Sequence, residues 1–195
     1  MRWKFGITDE RYFEFDKETQ TITKYDRSGG GIVFIPGFID GVEVLEIGEG
    51  AFESASLYHV EMPRGVTRIR DRAFWGNNLT SVVIPESVTH IGDDAFRGNK
   101  LTSVVIPRSV ARVGDYAFAA NHLISVTIPE SVTHIEKYAF WGNYLASVVI
   151  PESVTNIGEY AFWGNKLTSV VIPEQAEVHP EAFDEEVKII RKERS

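Results

Sequence analysis

The sequence predicts a β-rich solenoid, a rod of stacked 22-residue coils with parallel strands and short helical or 3₁₀ turns. Six leucines recur every 22 residues, and each opens nearly the same phrase, most clearly LASVVIPESVTNIGEYAFWGNK at 145–166. A unit this short cannot bury its own apolar face, so it must share that face with neighbouring copies. Proline and phenylalanine recur at the same period. The six leucines are Leu57, Leu79, Leu101, Leu123, Leu145 and Leu167.

Composition narrows the function classes. The 195 residues are 43% hydrophobic and 25% charged, as in ordinary soluble proteins. A formal net charge of -8 argues against a nucleic-acid partner, because phosphate binding requires clustered Lys and Arg. The absence of cysteine excludes disulfides, thiolate metal sites and thiol catalysis. Residues 1–10 lack the apolar core of an export signal and no apolar run could span a bilayer, so we expect no membrane insertion. The location is then cytoplasmic, or exported if a signal has been removed.

Each coil opens on a predicted strand of the form Leu-x-x-Val-x-Ile-Pro. Alternation turns the fourth and sixth residues inward, as with Val104 and Ile106, and the third and fifth outward. Pro107 and its equivalents end the strand, because proline has no N–H to donate. The tenth and thirteenth residues are apolar again, as with Val154 and Ile157, which predicts a second short extended piece on the far side of the coil.

The rest of the coil is a predicted turn. Residues 158–162 are too few for a full helix but suit one helical or 3₁₀ turn that drives Phe162 into the core. A Gly-Asn pair then closes most coils.

Five large apolar side chains give roughly 8 to 15 kcal/mol of burial per coil, against about 1 to 2 kcal/mol of backbone entropy per residue. A lone coil therefore cannot fold. The predicted aromatic spine is Phe74, Phe96, Phe118, Phe140, Phe162 and Phe183.

The two ends depart from the repeat and are predicted caps. We divide one folded unit into a hairpin cap and linker at 1–31, the solenoid at 32–187, and a C-terminal strand and tail at 188–195. Residues 11–25 alternate apolar and polar around a polar turn, which predicts a β-hairpin. The first coil is longer between its proline and phenylalanine than the regular coils, so residues 37–41 are expected to bulge. Residues 187–190 are expected to add a closing strand.

The phrase Leu-x-x-Val-x-Ile-Pro-x-x-Val-x-x-Ile-Gly-x-x-Ala-Phe resembles the BspA-like, Treponema-type class of bacterial leucine-rich repeats, and it recurs from about Val33 to Phe183. The resemblance implies a right-handed, curved leucine-rich-repeat solenoid and a non-enzymatic role in protein–protein contact, often adhesion to host or bacterial surface components. Surface members of the class carry export signals, which are not visible here. Where the class commonly has Cys, this chain has Asn, so we expect amide hydrogen bonds to hold the turn. These residues are Asn77, Asn99, Asn121, Asn143 and Asn165.

The outward side of the predicted strands is the first candidate binding surface. The third residue is serine in most coils and the fifth is β-branched, which makes a smooth stripe that an extended apolar partner could cover. The alternative is that such residues simply suit a parallel sheet. The fifth residues are Val83, Val105, Val149 and Val171, with Thr127 between them.

The residues that directly follow the core phenylalanines are the second candidate surface. They should align at about 4.8 Å spacing, and exposed aromatic rows are typical of binding hot spots. Ala119 predicts a notch between Arg97 and Trp141, with Phe118 as its floor, that would take a small hydrophobic ligand. The alternative is that the tryptophans only shield the core edge. The row is Trp75, Arg97, Ala119, Trp141 and Trp163, and the predicted notch walls are Tyr138 and Tyr144. A further row, expected to stack within the wall, is Tyr116, Tyr138 and Tyr160.

Catalysis and metal binding are not expected. His59, Glu61 and Ser81 fall near one another on the outer strand face, but a flat sheet offers no oxyanion donors and no water-excluding pocket. His90 and His134 are two coils apart, and no zinc, calcium or phosphate-loop spacing occurs. The sequence therefore predicts no cofactor. The leading hypothesis is a module that binds an unidentified protein, and the alternative is a binder of a small hydrophobic ligand at the notch.

Overall fold

The computed structural model describes residues 6–192 and confirms the predicted stacking, with equivalent residues of successive repeats lying over one another in a β-solenoid of about eight turns. Helix is nearly absent: Glu10–Tyr12 and Arg27–Gly29 form 3₁₀ helices. Within 6–192 no helix is long and apolar enough to cross a membrane. In chain order the strands are β1 (Phe13–Asp16), β2 (Thr21–Tyr25), β3 (Ile32–Phe34), β4 (Phe38–Ile39), β5 (Val42–Glu43), β6 (Glu46–Ile47), β7 (His59–Glu61), β8 (Arg68–Ile69), β9 (His90–Ile91), β10 (Ser103–Val105), β11 (Arg112–Val113), β12 (Ser125–Thr127), β13 (His134–Ile135), β14 (Asn156–Ile157), β15 (Ser169–Pro173), β16 (Glu177–Val178) and β17 (Lys188–Lys192).

One nine-stranded sheet runs the length of the rod. Its order is β1-β2-β6-β8-β9-β11-β13-β14-β16, and every pair beyond the β1–β2 hairpin is parallel. Each coil contributes two residues, the first pointing out and the second pointing in, and Ile69 pairs with Ile91 in this way. The short extended piece predicted for the far side of the coil therefore forms the main sheet.

The opening strands pair less regularly than the sequence predicts. We call their outer surface the strand face. There β3 pairs with β7, β10 with β12 and β15 with β17, and residues 81–84 lie in no strand. Side chains add hydrogen bonds between coils beside the nine-stranded sheet. The Ser87 hydroxyl donates to the carbonyl oxygens of Arg64 and Val66 at 2.6 Å, and the Thr89 hydroxyl donates to that of Thr67 at 3.2 Å. These bonds reinforce the main-chain pairing of that sheet.

The turn after each sheet strand is not helical, which corrects the predicted helical or 3₁₀ turn. Two tight turns follow one another, closed by bonds from Ala117 N to Gly114 O at 3.2 Å and from Ala119 N to Tyr116 O at 3.0 Å. Tyr116 between them has φ of 56°. A left-handed residue at this point interrupts the helical path, which requires negative φ throughout.

The phenylalanine spine is confirmed and is longer than predicted. Seven stacked rings run from Phe52 to Phe183 with centroids 5.1 to 5.7 Å apart. The predicted N-terminal hairpin extends the stack, because the Tyr25 ring lies 5.2 Å from Phe52 and the Phe13 ring lies 5.4 Å from Tyr25. The hairpin therefore covers the end of the core with its own aromatic rings.

Both irregular ends have a simple structural basis. The predicted bulge at 37–41 is a small hairpin, in which β4 and β5 pair antiparallel around Asp40 and Gly41, both at positive φ. At the other end β17 pairs with β15 as the predicted closing strand. The Arg191 side chain there donates to the carbonyl oxygens of Glu174 at 2.8 Å and Ala176 at 3.0 Å, which satisfies polar groups that a further coil would otherwise cover.

Candidate functional site

The outward valines of the strand face form one apolar row, which we call the valine stripe. Their neighbours at the sixth position, such as Ile84 and Ile150, are buried, so alternation along each opening segment leaves the fifth residue in solvent. Four coil steps of about 4.8 Å make the stripe roughly 20 Å long. Its members, with their exposed fractions, are Val83 (81%), Val105 (62%), Val149 (81%) and Val171 (49%).

Shallow cavities flank the valine stripe where successive coils meet. One of about 690 Å³ lies between β7 and residues 81–87, one of about 930 Å³ adjoins Val105 and Thr127, and one of about 330 Å³ adjoins Val149 and Val171. Charged side chains line their outer edge, including Glu86, and Glu152 with its ion pair to Lys192 at 2.6 Å. An apolar centre with a polar rim is the usual arrangement of a protein-binding patch.

The tryptophan row packs on neighbouring side chains. The Trp141 ring meets Tyr138 edge-on at 6.5 Å, and the Trp163 ring meets Tyr160 edge-on at 5.4 Å. The Arg72 guanidinium covers Trp75 at 5.1 Å. All three tryptophans are half-buried. These contacts give them a role in the solenoid wall.

The predicted notch at Ala119 has no accessible floor, and this part of the prediction is wrong. Ala119 and Phe118 are both fully buried. Phe118 lies within the phenylalanine stack, between Phe96 and Phe140. The Arg97 guanidinium of the preceding coil lies 4.6 Å from the centre of the Tyr116 ring and pairs with Asp94 at 2.9 Å, so a cation covers Tyr116.

Tyr144, a predicted wall of the notch, takes part in a different contact. Its ring is 46% exposed and lies between His122, at 5.7 Å, and the Lys166 ammonium, at 5.0 Å. These residues occupy the last position of successive coils. The structure therefore assigns Tyr144 to a separate row on the rod.

The predicted tyrosine stack is confirmed. The Tyr116 and Tyr138 rings are 4.4 Å apart and nearly parallel, and Tyr160 follows at 5.0 Å. Loss of solvent, and then the neighbouring Tyr116, raise the pKa of Tyr138. A hydrogen bond with Glu181 is the main cause that raises the pKa of Tyr160. The hydroxyls of Tyr138 and Tyr160 therefore stay protonated at neutral pH.

The three residues considered as a catalytic group lie around one cavity. His59, Glu61 and Ser81 all line the 690 Å³ cavity beside the valine stripe. Within 6–192 no hydrogen bond joins any two of them, and the His59 ring packs instead against Phe34 at 5.5 Å. A nucleophile and its base act through hydrogen-bond contact, which these three side chains do not make in this structure.

One polar row, formed by Asp71, Asp93 and Asp115, was not predicted from the sequence. The Asp71 carboxylate accepts a bond from Asp93 N at 3.0 Å, Asp93 from Asp115 N at 2.8 Å, and Asp115 from Lys137 N at 3.1 Å. Burial, followed by the neighbouring Asp93, raises the pKa of Asp115. The sequence does indicate this row, because the three aspartates share the fifteenth position of consecutive coils.

Comparison with known proteins agrees with this geometry. The sequence profile of one family, described as a BspA type leucine rich repeat region, matches residues 40–79 and 67–190 with six copies. No curated protein sequence matches the chain.

Three solved structures share the fold. A leucine-rich repeat protein from Bacteroides ovatus aligns with a TM-score of 0.60 at 22% identity over 88% of this chain, which spans about half (55%) of that protein. The T. pallidum leucine-rich repeat protein aligns with a TM-score of 0.60 at 24% identity, over 83% of this chain and 91% of that one. A leucine rich cell surface protein from Faecalibacterium prausnitzii aligns with a TM-score of 0.54 at 21% identity, over 92% and 74%.

Proposed function

Because the chain belongs to the BspA-type leucine-rich repeat family, we propose that it is a non-enzymatic protein-binding module whose partner docks on the valine stripe. Repeats of this family are typically binding scaffolds. The exposure of the stripe carries the proposal: Val83 and Val149 each keep 81% of their surface in water, although both belong to regular coils.

The chemistry of the strand face indicates the kind of partner. Between the ends of the stripe the outward residues are Ser, Val and Thr, so the docking area carries no charge along about 20 Å. Burying an unpaired charge is the main free-energy cost of covering a polar surface. A partner that covers this area buries no such charge. An extended or flat apolar segment of a partner protein therefore fits it best.

We further propose adhesion to host or bacterial surface components as the setting. The structural neighbour from Faecalibacterium prausnitzii is described as a cell surface protein. Fractionation of the producing cell, with detection of this chain in the surface fraction, tests the proposal. A chain found only inside the cell would rule it out.

Affinity capture from host or bacterial extracts tests the docking surface. Wild type is compared with Val149→Lys on the stripe, Trp141→Ala in the tryptophan row, and Ala111→Lys as a control. Ala111 is exposed beside the nine-stranded sheet, so its variant adds the same charge on another surface. We expect only Val149→Lys to lose the captured protein. Equal capture by Val149→Lys and wild type contradicts the stripe, and loss in Trp141→Ala alone would move the site to the tryptophan row.

A further inference from the structure

Three metal-ligating side chains converge at the last coil boundary, away from the valine stripe. Ligand atoms of Glu159, His179 and Glu181 all lie within 4.8 Å of one another. Glu159 is half-buried, and the other two side chains are exposed. We propose that these residues bind a divalent transition-metal cation of the Zn²⁺ type, at a site that no metal-binding motif in the sequence marks.

The repeat itself explains how His179 reaches Glu159. The main-chain N–H of Gly158 donates to Ile135 O, and that of His179 donates to Ile157 O, so His179 occupies the place of Gly158 one coil later. At Gly114, which holds the same place two coils before Gly158, an added Cβ would lie 2.7 Å from an oxygen of Asp93 in the coil before it. Exchange of glycine for histidine therefore puts the imidazole against Glu159.

The regular hydrogen bonding is also replaced at this boundary. In the middle of the rod a carboxylate accepts the main-chain N–H of the next coil, as Asp115 does from Lys137 at 3.1 Å. Here the N–H of Glu181 donates to His179 Nδ1 at 3.2 Å. In the described part of the chain the Glu159 carboxylate has only its ion pair with Lys137, at 3.7 Å. Its carboxylate is therefore available as a ligand.

The surroundings favour a cation. A cavity of about 450 Å³ adjoins the cluster and is lined by Glu136, Glu159 and Glu177 around the single ammonium of Lys137, with room for water ligands. Carboxylate oxygen and imidazole nitrogen bind Zn²⁺ at about 2.0 to 2.2 Å, so small rotations of exposed side chains are enough to close the site. The hydrogen bond between Tyr160 and Glu181 restrains the third ligand.

The hydrogen bond of His179 gives the site a specific signature. Its Nδ1 accepts the main-chain N–H of Glu181, so a metal ion bound to the imidazole changes the surroundings of that amide. Glu159 belongs to the last regular coil and the other two ligands to the final one, so the ion ties the end of the rod to the stack.

Titration of tag-free protein with ZnCl₂, followed by calorimetry and by amide NMR, tests the site. We expect one Zn²⁺ per chain and a shift of the Glu181 amide signal. Affinity should fall at least tenfold in Glu159→Gln and in Glu181→Gln, and binding should be lost in His179→Ala. His134→Ala, which removes an exposed histidine elsewhere, should bind as wild type does.

Thermal unfolding supplies a second readout. At Zn²⁺ concentrations about 100 times the Kd, the unfolding midpoint of wild type should rise by about 5 to 10 °C, and that of His179→Ala should not move. Failure to saturate one site below about 1 mM would overturn the proposal. Equal binding by His179→Ala and wild type would also overturn it.

Discussion

Asn99 and Asn121 donate to the same atom, the carbonyl oxygen of Phe96, at 3.0 and 2.9 Å. Each buried asparagine in the row also accepts the main-chain N–H of the leucine that opens its own coil, as Asn121 does from Leu101 at 3.1 Å. Successive amides thus share carbonyl acceptors along the rod. The predicted amide hydrogen bonds are confirmed, and they join neighbouring coils as well as closing each turn.

This sharing predicts non-additive mutations. Asn121→Ala leaves the Leu101 N–H buried without a partner and should lower the free energy of unfolding by about 2 kcal/mol. Phe96 O still has Asn99 in that variant. Asn99→Ala combined with Asn121→Ala removes both donors, so urea unfolding should show a loss about 1 kcal/mol greater than the sum of the single losses.

The matched control is Asn77→Ala combined with Asn143→Ala. These residues share no acceptor, because Asn77 donates to Phe52 and Phe74, whereas Asn143 donates to Phe118 and Phe140. Their losses should add. Equal coupling in the two double variants would mean that the shared carbonyl is not responsible.

A second prediction concerns the left-handed residue of each turn. Asp94 has φ of 56° and a half-exposed ion pair with Arg97, whereas Tyr138, at φ of 58°, stacks between two tyrosines. Glycine adopts this conformation without the steric cost of a Cβ. Asp94→Gly should therefore raise the free energy of unfolding by about 0.5 kcal/mol.

Tyr138→Gly should lower the free energy of unfolding by about 1 to 2 kcal/mol, because the ring contacts with Tyr116, Tyr160 and Trp141 outweigh the relieved strain. Both variants are measured by urea unfolding under the same conditions. A gain in Tyr138→Gly would show that the tyrosine stack contributes less than the backbone conformation costs.

A third prediction follows from Asp115. Burial, then Asp93, raises the pKa of its carboxyl, so the ionised form is less favourable in the folded chain than in the unfolded one. The resulting loss of stability is present at pH 7 and disappears as the pH falls and the carboxyl is protonated in both states. Asparagine keeps an oxygen for the Lys137 N–H and has no charge. Asp115→Asn should be more stable than wild type at pH 7, and the difference should close by about pH 3. Urea unfolding at pH 7, 5 and 3 measures it, and a difference that widens at low pH would reverse the assigned sign.

A fourth prediction compares the same substitution at an exposed residue and at its buried neighbour. Val149 is 81% exposed and Ile150 is 6% exposed. Val149→Lys should change the free energy of unfolding by less than about 0.5 kcal/mol. Ile150→Lys should unfold the chain, since it puts an unpaired charge into the core. Circular dichroism melts of both variants check this, and a large loss in Val149→Lys would invalidate its use in the capture experiment.

Much of this architecture could be predicted from residue spacing. The spacing of Leu57 and its equivalents gave the coil length. The period of the phenylalanines predicted the spine, because equivalent positions lie over one another when coils stack. The alternating segment before Tyr25 predicted the hairpin. The repeat spacing predicted which residues form the tryptophan row. It did not predict their contacts, because a side chain such as Arg97 packs on Tyr116 of another coil.

The remainder depended on distances between coils that spacing alone does not give. The sequence pattern of residues 81–84 is that of a strand, yet these residues lie in no strand of the structure. The pairing of Glu159 with His179 was not predicted, because the last coil is one residue shorter. His179 is the thirteenth residue from Leu167 but takes the place that the fourteenth residue, Gly158, has in the coil before it. The docking role of the valine stripe stays a prediction.

The nine-stranded sheet is continuous along the rod, whereas the strand face is paired between coils only in part. Residues 81–84 lie in no strand, although the asparagine row and the turns still join their coil to its neighbours. A partner that covers the valine stripe at Val83 therefore also covers a stretch of main chain that stands outside every sheet of the solenoid.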